Sequence, residues 1–243
     1  MEEKLLQMKS LVERLNQASD SYYNGKGELM TDYEWDALFD QLKRLEEETG
    51  EILPDSPTNR VSEDSIVGKK EEHEFAALSL AKTKQVSDLV KWAEDRPIWI
   101  SWKLDGLTLV VTYDGGKLTK IVTRGNGHIG TNITHLAPAI SGIPGTISEK
   151  GHLVVRGEAV ISYTDFEQFI IESEGDYANP RNLASGSLTL KDIEEVKQRH
   201  IQWIPFTLVY TERELTSWGE RMQMLKDLGM NPVERERIDH PTT

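Results

Sequence analysis

Apolar positions recur at helical spacing early in the chain and at strand spacing further on. Leu5, Met8, Leu11, Val12 and Leu15 fall at three- and four-residue intervals, the period that lines one face of a helix. SYYNGKGELM (21–30) breaks that pattern with two glycines. Thr31 then opens a second helix, with Glu34 three residues on to complete a capping box. Trp35, Leu38, Phe39, Leu42 and Leu45 form its apolar stripe. Gly50 ends it, and ILPDSPTNRVSED (52–64) reads as a connector, which predicts a domain boundary near residues 60–70.

From about residue 98 the period changes. IWISW (98–102), LTLVVTY (107–113), KLTKIVT (117–123), HLVVRGEAVI (152–161) and IQWIPFTLVY (201–210) read as strands. Asp114-Gly115-Gly116 is a hairpin turn signal. TDFEQFIIE (164–172), DIEEVKQR (192–199) and RELTSWGERMQMLKDLG (213–229) read as helices, the last with Gly229 as its C′ residue. The expected fold class is α+β: a small helical module over 1–66, then an antiparallel-sheet domain over 67–243.

The 243 residues carry a net charge of -13 and no cysteine, which excludes disulfides and thiol catalysis and suits a cytoplasmic protein. No apolar run reaches the roughly 20 residues of a membrane helix, and the charged, amphipathic start MEEKLLQMKSLVERL is unlike a signal peptide. Lysine and arginine are scattered, so the charge predicts weak binding of nucleic acid by this chain alone.

Against that pattern, Lys103 stands out, because it sits between Trp102 and Leu104 in an apolar hairpin. A strand lysine commonly snorkels to water. In Lys-x-Asp-Gly, however, an extended backbone puts Lys103 and Asp105 on one face, and Gly106 would let a ligand approach closely. A partly desolvated lysine can serve as a nucleophile. TRGNGHIG (123–130) reads either as a charged loop or as a phosphate-approaching turn with Arg124 as donor. Arg156 and Glu158 share one face of their strand, either as a surface ion pair or as a site for a sugar hydroxyl. YANPRNLASGSL (177–188) reads as a polar loop before a helix, where Arg181 could hold a phosphate.

The order KLDG, TRGNG, VRGE, ANPRNLASGSL resembles the nucleotidyltransferase domain of bacterial NAD-dependent DNA ligases. YYNGKGELMTDYEWDAL is similar to the same family's N-terminal module, which takes the nicotinamide mononucleotide half of NAD, and SPTNRV and ALSLAK follow it. The resemblance runs from about residue 20 to 210 and implies an ATP-grasp-like ligase adenylation fold. It makes Lys103 the nucleophile on the α-phosphorus of NAD. AMP would stay on that lysine and pass later to the 5′-phosphate of a DNA nick. It also implies cofactor contacts by Tyr22, Asp32, Tyr33, Glu34, Trp35 and Asp36 on the nicotinamide side. Ser79, Leu80, Ser101, Asp105, Arg124, Glu158, Arg181 and Phe206 would lie on the adenylate side, with Phe206 stacking on adenine. Mg²⁺ is expected with the phosphates, without a protein-built metal site. The expected partners are NAD and, in the complete enzyme, nicked duplex DNA, for a monomer with no membrane contact.

Several positions depart from the family pattern: Tyr23 for histidine, Trp35 for tyrosine, Ser101 for glutamate, Asn126 for aspartate and Thr189 for arginine. The family's two later α-phosphate lysines find no match, so the chain reads as an adenylation domain lacking its C-terminal strands. The departures keep two alternatives open: an ATP-dependent ligase or capping-type transferase, and a non-catalytic relative that binds a nucleotide.

Overall fold

The computed structural model describes residues 2–23, 29–58, 68–78, 83–94, 96–173 and 177–241, with the backbone alone at 2, 3, 20, 22, 23, 32, 33 and 36. At the N-terminus, α1 (Glu2–Tyr23) and α2 (Asp32–Thr49) form a helical pair. Met8, Leu11, Val12 and Leu15 pack on Leu42 and Leu45, with Trp35, Leu38 and Phe39 against them. The capping box at Thr31 forms as expected, and Gly50 closes α2 at φ 69°. The hydroxyls of Ser56 and Thr58 donate to the two carboxylate oxygens of buried Glu46, at 2.5 and 2.7 Å. A buried charge needs such partners, so they fasten the start of the connector to α2.

The second region is built on four antiparallel strands in the order β4-β3-β6-β7. These are β3 (Leu107–Asp114), β4 (Lys117–Thr123), β6 (Leu153–Val160) and β7 (Gln202–Thr211). Gly115 and Gly116, at φ 60° and 78°, make the two-residue turn that the sequence predicts between β3 and β4. Two ribbons flank the sheet: β1 (Lys70–Glu72) with β5 (Ile129–Thr131), and β2 (Ile98–Ser101) with β8 (Arg235–Ile238).

The sheet's two faces differ. Leu109, Val111, Tyr113, Leu153, Val155, Ala159 and Trp203 join one large core. Leu183 and Ala184 of α5 (Pro180–Ser187), Val196 of α6 (Ile193–Lys197) and Met222 and Leu225 of α7 (Trp218–Asp227) belong to the same core, with Phe166 and Phe169 of α4 (Tyr163–Ser173) packed against it. The other face has only a small cluster, Ala77, Val110 and Val154, with Phe75, Val209 and Tyr210 beside it. Mixed helix and antiparallel sheet make the chain α+β. No helix among the described residues is long and apolar enough to cross a membrane.

Several sequence expectations need correction. ANPRNLASGSL is not a loop before a helix; it contains α5 itself. Asn179 caps the Asn182 N–H and Pro180 takes the first helical turn, a start signal that outweighs the helix-weakening Gly and Ser. The last helix begins at Trp218, not Arg213, because Ser217 and Glu220 form its capping box. The short strands β1, β5 and β8 and the helix α3 (Val86–Ala93) were not anticipated, since three- and four-residue strands carry too little alternation to read.

Candidate active site

Lys103 does not lie on a strand. β2 stops at Ser101, and residues 102–105 form the connection to β3, with the Lys103 side chain exposed. Lys103 and Asp105 therefore do not share a strand face, and the lysine is not desolvated. Gly106 also has a different task from the one expected. A Cβ there would collide with the Ala159 carbonyl oxygen, so the glycine makes room for β6.

That close approach brings the loop to the end of β6 that carries Glu158. Glu158 is buried on the face away from the large core, opposite Thr108. Its carboxylate accepts the Thr108 hydroxyl at 2.8 Å and the Gly106 N–H. Burial pushes its pKa up, while those bonds and the charges of Arg181 and Lys103 pull it down. Arg181, in the first turn of α5, donates to Asp105 at 2.9 Å. Lys103, Asp105, Glu158 and Arg181, distant in sequence, thus meet at one end of the sheet. Two cations and an exposed carboxylate surround one buried carboxylate.

The TRGNG turn follows β4 at the same end. Gly125 and Gly127 take φ 53° and 89°. The Asn126 side-chain oxygen accepts the N–H groups of His128 and Ile129, at 3.0 and 2.8 Å. An aspartate could accept both bonds, so Asn126 keeps the turn's geometry. The Arg124 N–H donates to Thr108 and its Nε to the Ala77 carbonyl, at 2.9 and 3.0 Å. Arg156, one ladder step along from Glu158, donates to the carbonyls of Phe75 and Ala76, at 3.1 and 2.7 Å. It does not pair with Glu158. Burial and the neighbouring Arg124 charge lower its pKa. The two guanidinium groups hold the 75–77 segment over the sheet, and that segment leads into Ser79 and Leu80, which lie outside the described residues.

The remaining candidates are placed less centrally. Phe206 is half-buried at the bulge opposite Arg156 and Gly157, outside the three apolar clusters of the described residues. Ser101 is exposed and pairs with Arg235. Thr189 caps the end of α5 by donating to Gly186 at 2.6 Å. In the helical pair, Glu34 serves the capping box. Trp35 stacks on Phe39 at 4.9 Å and donates to Leu15 and Ser19 of α1. The capping role of Glu34 and the apolar packing of Trp35 are those the sequence predicts; the indole N–H bonds to α1 are additional. The side chains of Tyr22, Asp32, Tyr33 and Asp36 lie outside the described part. Sequence reading missed Thr108 as the partner of Glu158; its position two before Val110 on a strand face was the available signal. Among the described residues no group of three or more His, Asp or Glu converges to hold a metal.

The chain is similar in sequence to known proteins over both regions. The family model for the NAD-dependent DNA ligase adenylation domain matches residues 69–240. The chain belongs to the NAD-dependent DNA ligase family. The family's N-terminal NAD⁺-binding domain matches residues 1–62. DNA ligases of Lachnoclostridium phytofermentans and Ruminiclostridium cellulolyticum are each 40% identical over 244 residues, covering 98% of this chain and 37% of their own length. A DNA ligase of Leptospira biflexa is 39% identical over 199 residues, covering 79% of this chain and 30% of its own. The chain thus spans about a third of the length of these curated relatives. All the segments of this ligase-family chain that meet at the Lys103 end of the sheet lie within the adenylation match.

Proposed function

We propose that this chain is the NAD-binding and adenylation region of a DNA ligase, with Lys103 as the nucleophile. The observation that carries the reading is the convergence of Lys103, Asp105, Glu158 and Arg181 on one sheet end, within the adenylation-domain match. We divide the chain into a helical unit over 1–66 and an ATP-grasp-like adenylation unit over 67–243, a division supported by the family matches to 1–62 and 69–240.

In this reading Lys103 Nζ attacks the α-phosphorus of NAD. A P–N bond forms, the bond to nicotinamide mononucleotide breaks, and AMP remains on the lysine. Exposure of Lys103 on a loop lets it reach a phosphate that binds above the sheet end. Arg181, fixed by Asp105, sits in the first turn of α5, where a helix favours an anion, and contributes to neutralising the phosphates. Buried Glu158, oriented by Thr108, accepts a ribose hydroxyl. Arg124 and Arg156 fix the wall formed by residues 75–77, on which the adenine would rest together with Phe206. Tyr22, Asp32 and Asp36 are assigned to the nicotinamide half. Such transfers depend on positioning and charge neutralisation more than on covalent help from the protein.

Mg²⁺ fits this site as an ion that enters with the pyrophosphate, since magnesium keeps several waters and takes one or two carboxylates plus phosphates. Asp105 is the exposed carboxylate beside Lys103 that could meet it. In the complete ligase the AMP would pass to a nicked duplex. The acidity of this chain leaves most of that DNA contact to other segments, and a cytoplasmic monomer is the expected state.

Intact mass after incubation with NAD or with ATP tests the donor. The reading predicts gain of one AMP from NAD and reversal by nicotinamide mononucleotide. A gain from ATP alone would overturn NAD as the donor.

A further inference from the structure

Residues 73–77 form a strap across the face of the sheet that lacks the large core. The strap leaves the β1–β5 ribbon, where the His73 N–H donates to the His128 carbonyl at 2.7 Å. It crosses to β7, where the Phe75 ring stacks on Tyr210 with centroids 5.2 Å apart. It returns to the TRGNG turn, where the Ala77 N–H donates to the Gly127 carbonyl at 2.6 Å. Between strap and sheet lies an open cleft of about 270 Å³, lined by His73, Phe75, Val110, Thr112, Val122 and Val154. The strap's far end, Phe75 to Ala77, is held by the small apolar cluster and by Arg124 and Arg156, whereas Glu74 beside the cleft is held through its side chain.

One of those contacts is ionic. His152, just before β6, lies between two carboxylates: Nδ1 is 2.6 Å from Asp114 at the end of β3, and Nε2 is 2.9 Å from Glu74 of the strap. A carboxylate only accepts hydrogen bonds, so both contacts form together only when both ring nitrogens carry protons. The other groups facing the imidazole are the Tyr210 ring, 5.4 Å away, and Glu212, which accepts the His152 backbone N–H. Asp114 in turn takes the Thr119 hydroxyl and feels the charge of Lys120. Negative groups therefore outnumber positive ones around His152.

We propose that His152 is a pH-sensitive latch: its imidazolium ties Glu74 of the strap to Asp114, and loss of its proton releases the strap over the cleft. The hydrogen bond to Asp114, and then that to Glu74, raise the His152 pKa, while the same bond lowers that of Asp114. The sign follows. The stabilisation by His152 is complete below its unfolded-state value and is lost as pH rises through its raised folded value. The contribution of Asp114 is lost only as pH falls through its own lowered value. The latch is therefore closed below the ordinary histidine range and opens as pH rises through the raised folded value. Since the strap leads into the wall of the nucleotide pocket, its release would loosen NAD binding; that consequence rests on the reading above.

Amide hydrogen exchange of the NAD-free chain tests the latch. Expressed as protection factors, the His73 and Ala77 amides should lose roughly two- to fivefold between about pH 6 and pH 9, the range expected for partly exposed ion pairs. His152→Gln should show low protection at both pH values and no step. Glu74→Gln, which leaves the histidine in place, should remove the step as well. His73, the strap's other titratable group, is intact in both variants and serves as an internal control. A wild-type chain with no step, or a step of the same size in His152→Gln and Glu74→Gln, would overturn the latch. Failure of the nucleotide reading would show separately, as no NAD binding at either pH.

Discussion

β6 presents two surfaces that differ in almost every physical respect. On one side Leu153, Val155 and Ala159 are fully buried in the large core, and Gly157 gives its missing side chain to the Trp203 ring. On the other side Arg156 and Glu158 alternate with them: Arg156 donates to the carbonyls of Phe75 and Ala76, and the Glu158 carboxylate accepts from Thr108 and Gly106. The first surface stabilises by area removed from water. The second holds a buried carboxylate and a half-buried guanidinium that do not pair with each other, an arrangement that adds little stability by itself. The lesson is that one strand can serve packing and chemistry at once, because its side chains alternate.

The largest effect is expected at Lys103, beside the polar surface of β6 that carries Glu158. Lys103→Ala should reduce adenylation from NAD by several orders of magnitude, while thermal unfolding stays within about 0.5 kcal/mol of wild type, as for an exposed loop residue. A variant that unfolds would make the lysine structural. On the packing side, Leu153→Ala should cost about 3 kcal/mol in denaturant unfolding, from lost burial plus a residual cavity. Gly106→Ala should cost about 2–3 kcal/mol by forcing β6 away from the loop, measured without any nucleotide. A Gly106 variant of normal stability but poor NAD binding would instead restore the glycine's role in ligand approach.

Glu158→Gln sharpens the contrast with a smaller effect of opposite sign. Burial raises the carboxyl pKa in the folded state, so the stability of the protonated form is complete below the unfolded-state value and is lost as pH rises through the raised folded value. The glutamine should therefore match or exceed wild-type stability, with the gap widening as pH rises from the unfolded-state value to the raised one and constant beyond it, while NAD binding weakens. The smallest effect is expected in the helical pair, where Thr31→Ala should cost about 1 kcal/mol by removing the capping box. Circular dichroism melts over pH 5 to 8 would check both.

Much of this division was legible in the sequence. Alternation in LVVTY, KLTKIVT and HLVVRGEAVI marked the strands, and the same period put Arg156 and Glu158 on one face. The Thr31 capping box and Asp114-Gly115-Gly116 fixed two junctions. What could not be read was how the strands meet. Lys103 looked buried because apolar neighbours flank it, yet β2 ends two residues earlier to pair with β8, a strand too short to recognise. Gly106 looked like a ligand contact because only the fold shows that Ala159 comes against it. Arg181 looked like a loop residue because Pro, Asn, Gly and Ser surround it, although Asn179 and Pro180 are helix-start signals. Trp35 was legible as part of the apolar stripe of α2, but not the bonds of its indole N–H to Leu15 and Ser19 of α1.

The most direct test of the account is to locate the AMP after reaction with NAD by proteolysis and peptide mass spectrometry. The account predicts modification of the peptide containing Lys103, and none in Lys103→Ala. AMP on a different lysine, or undiminished labelling of the Lys103→Ala chain, would contradict it.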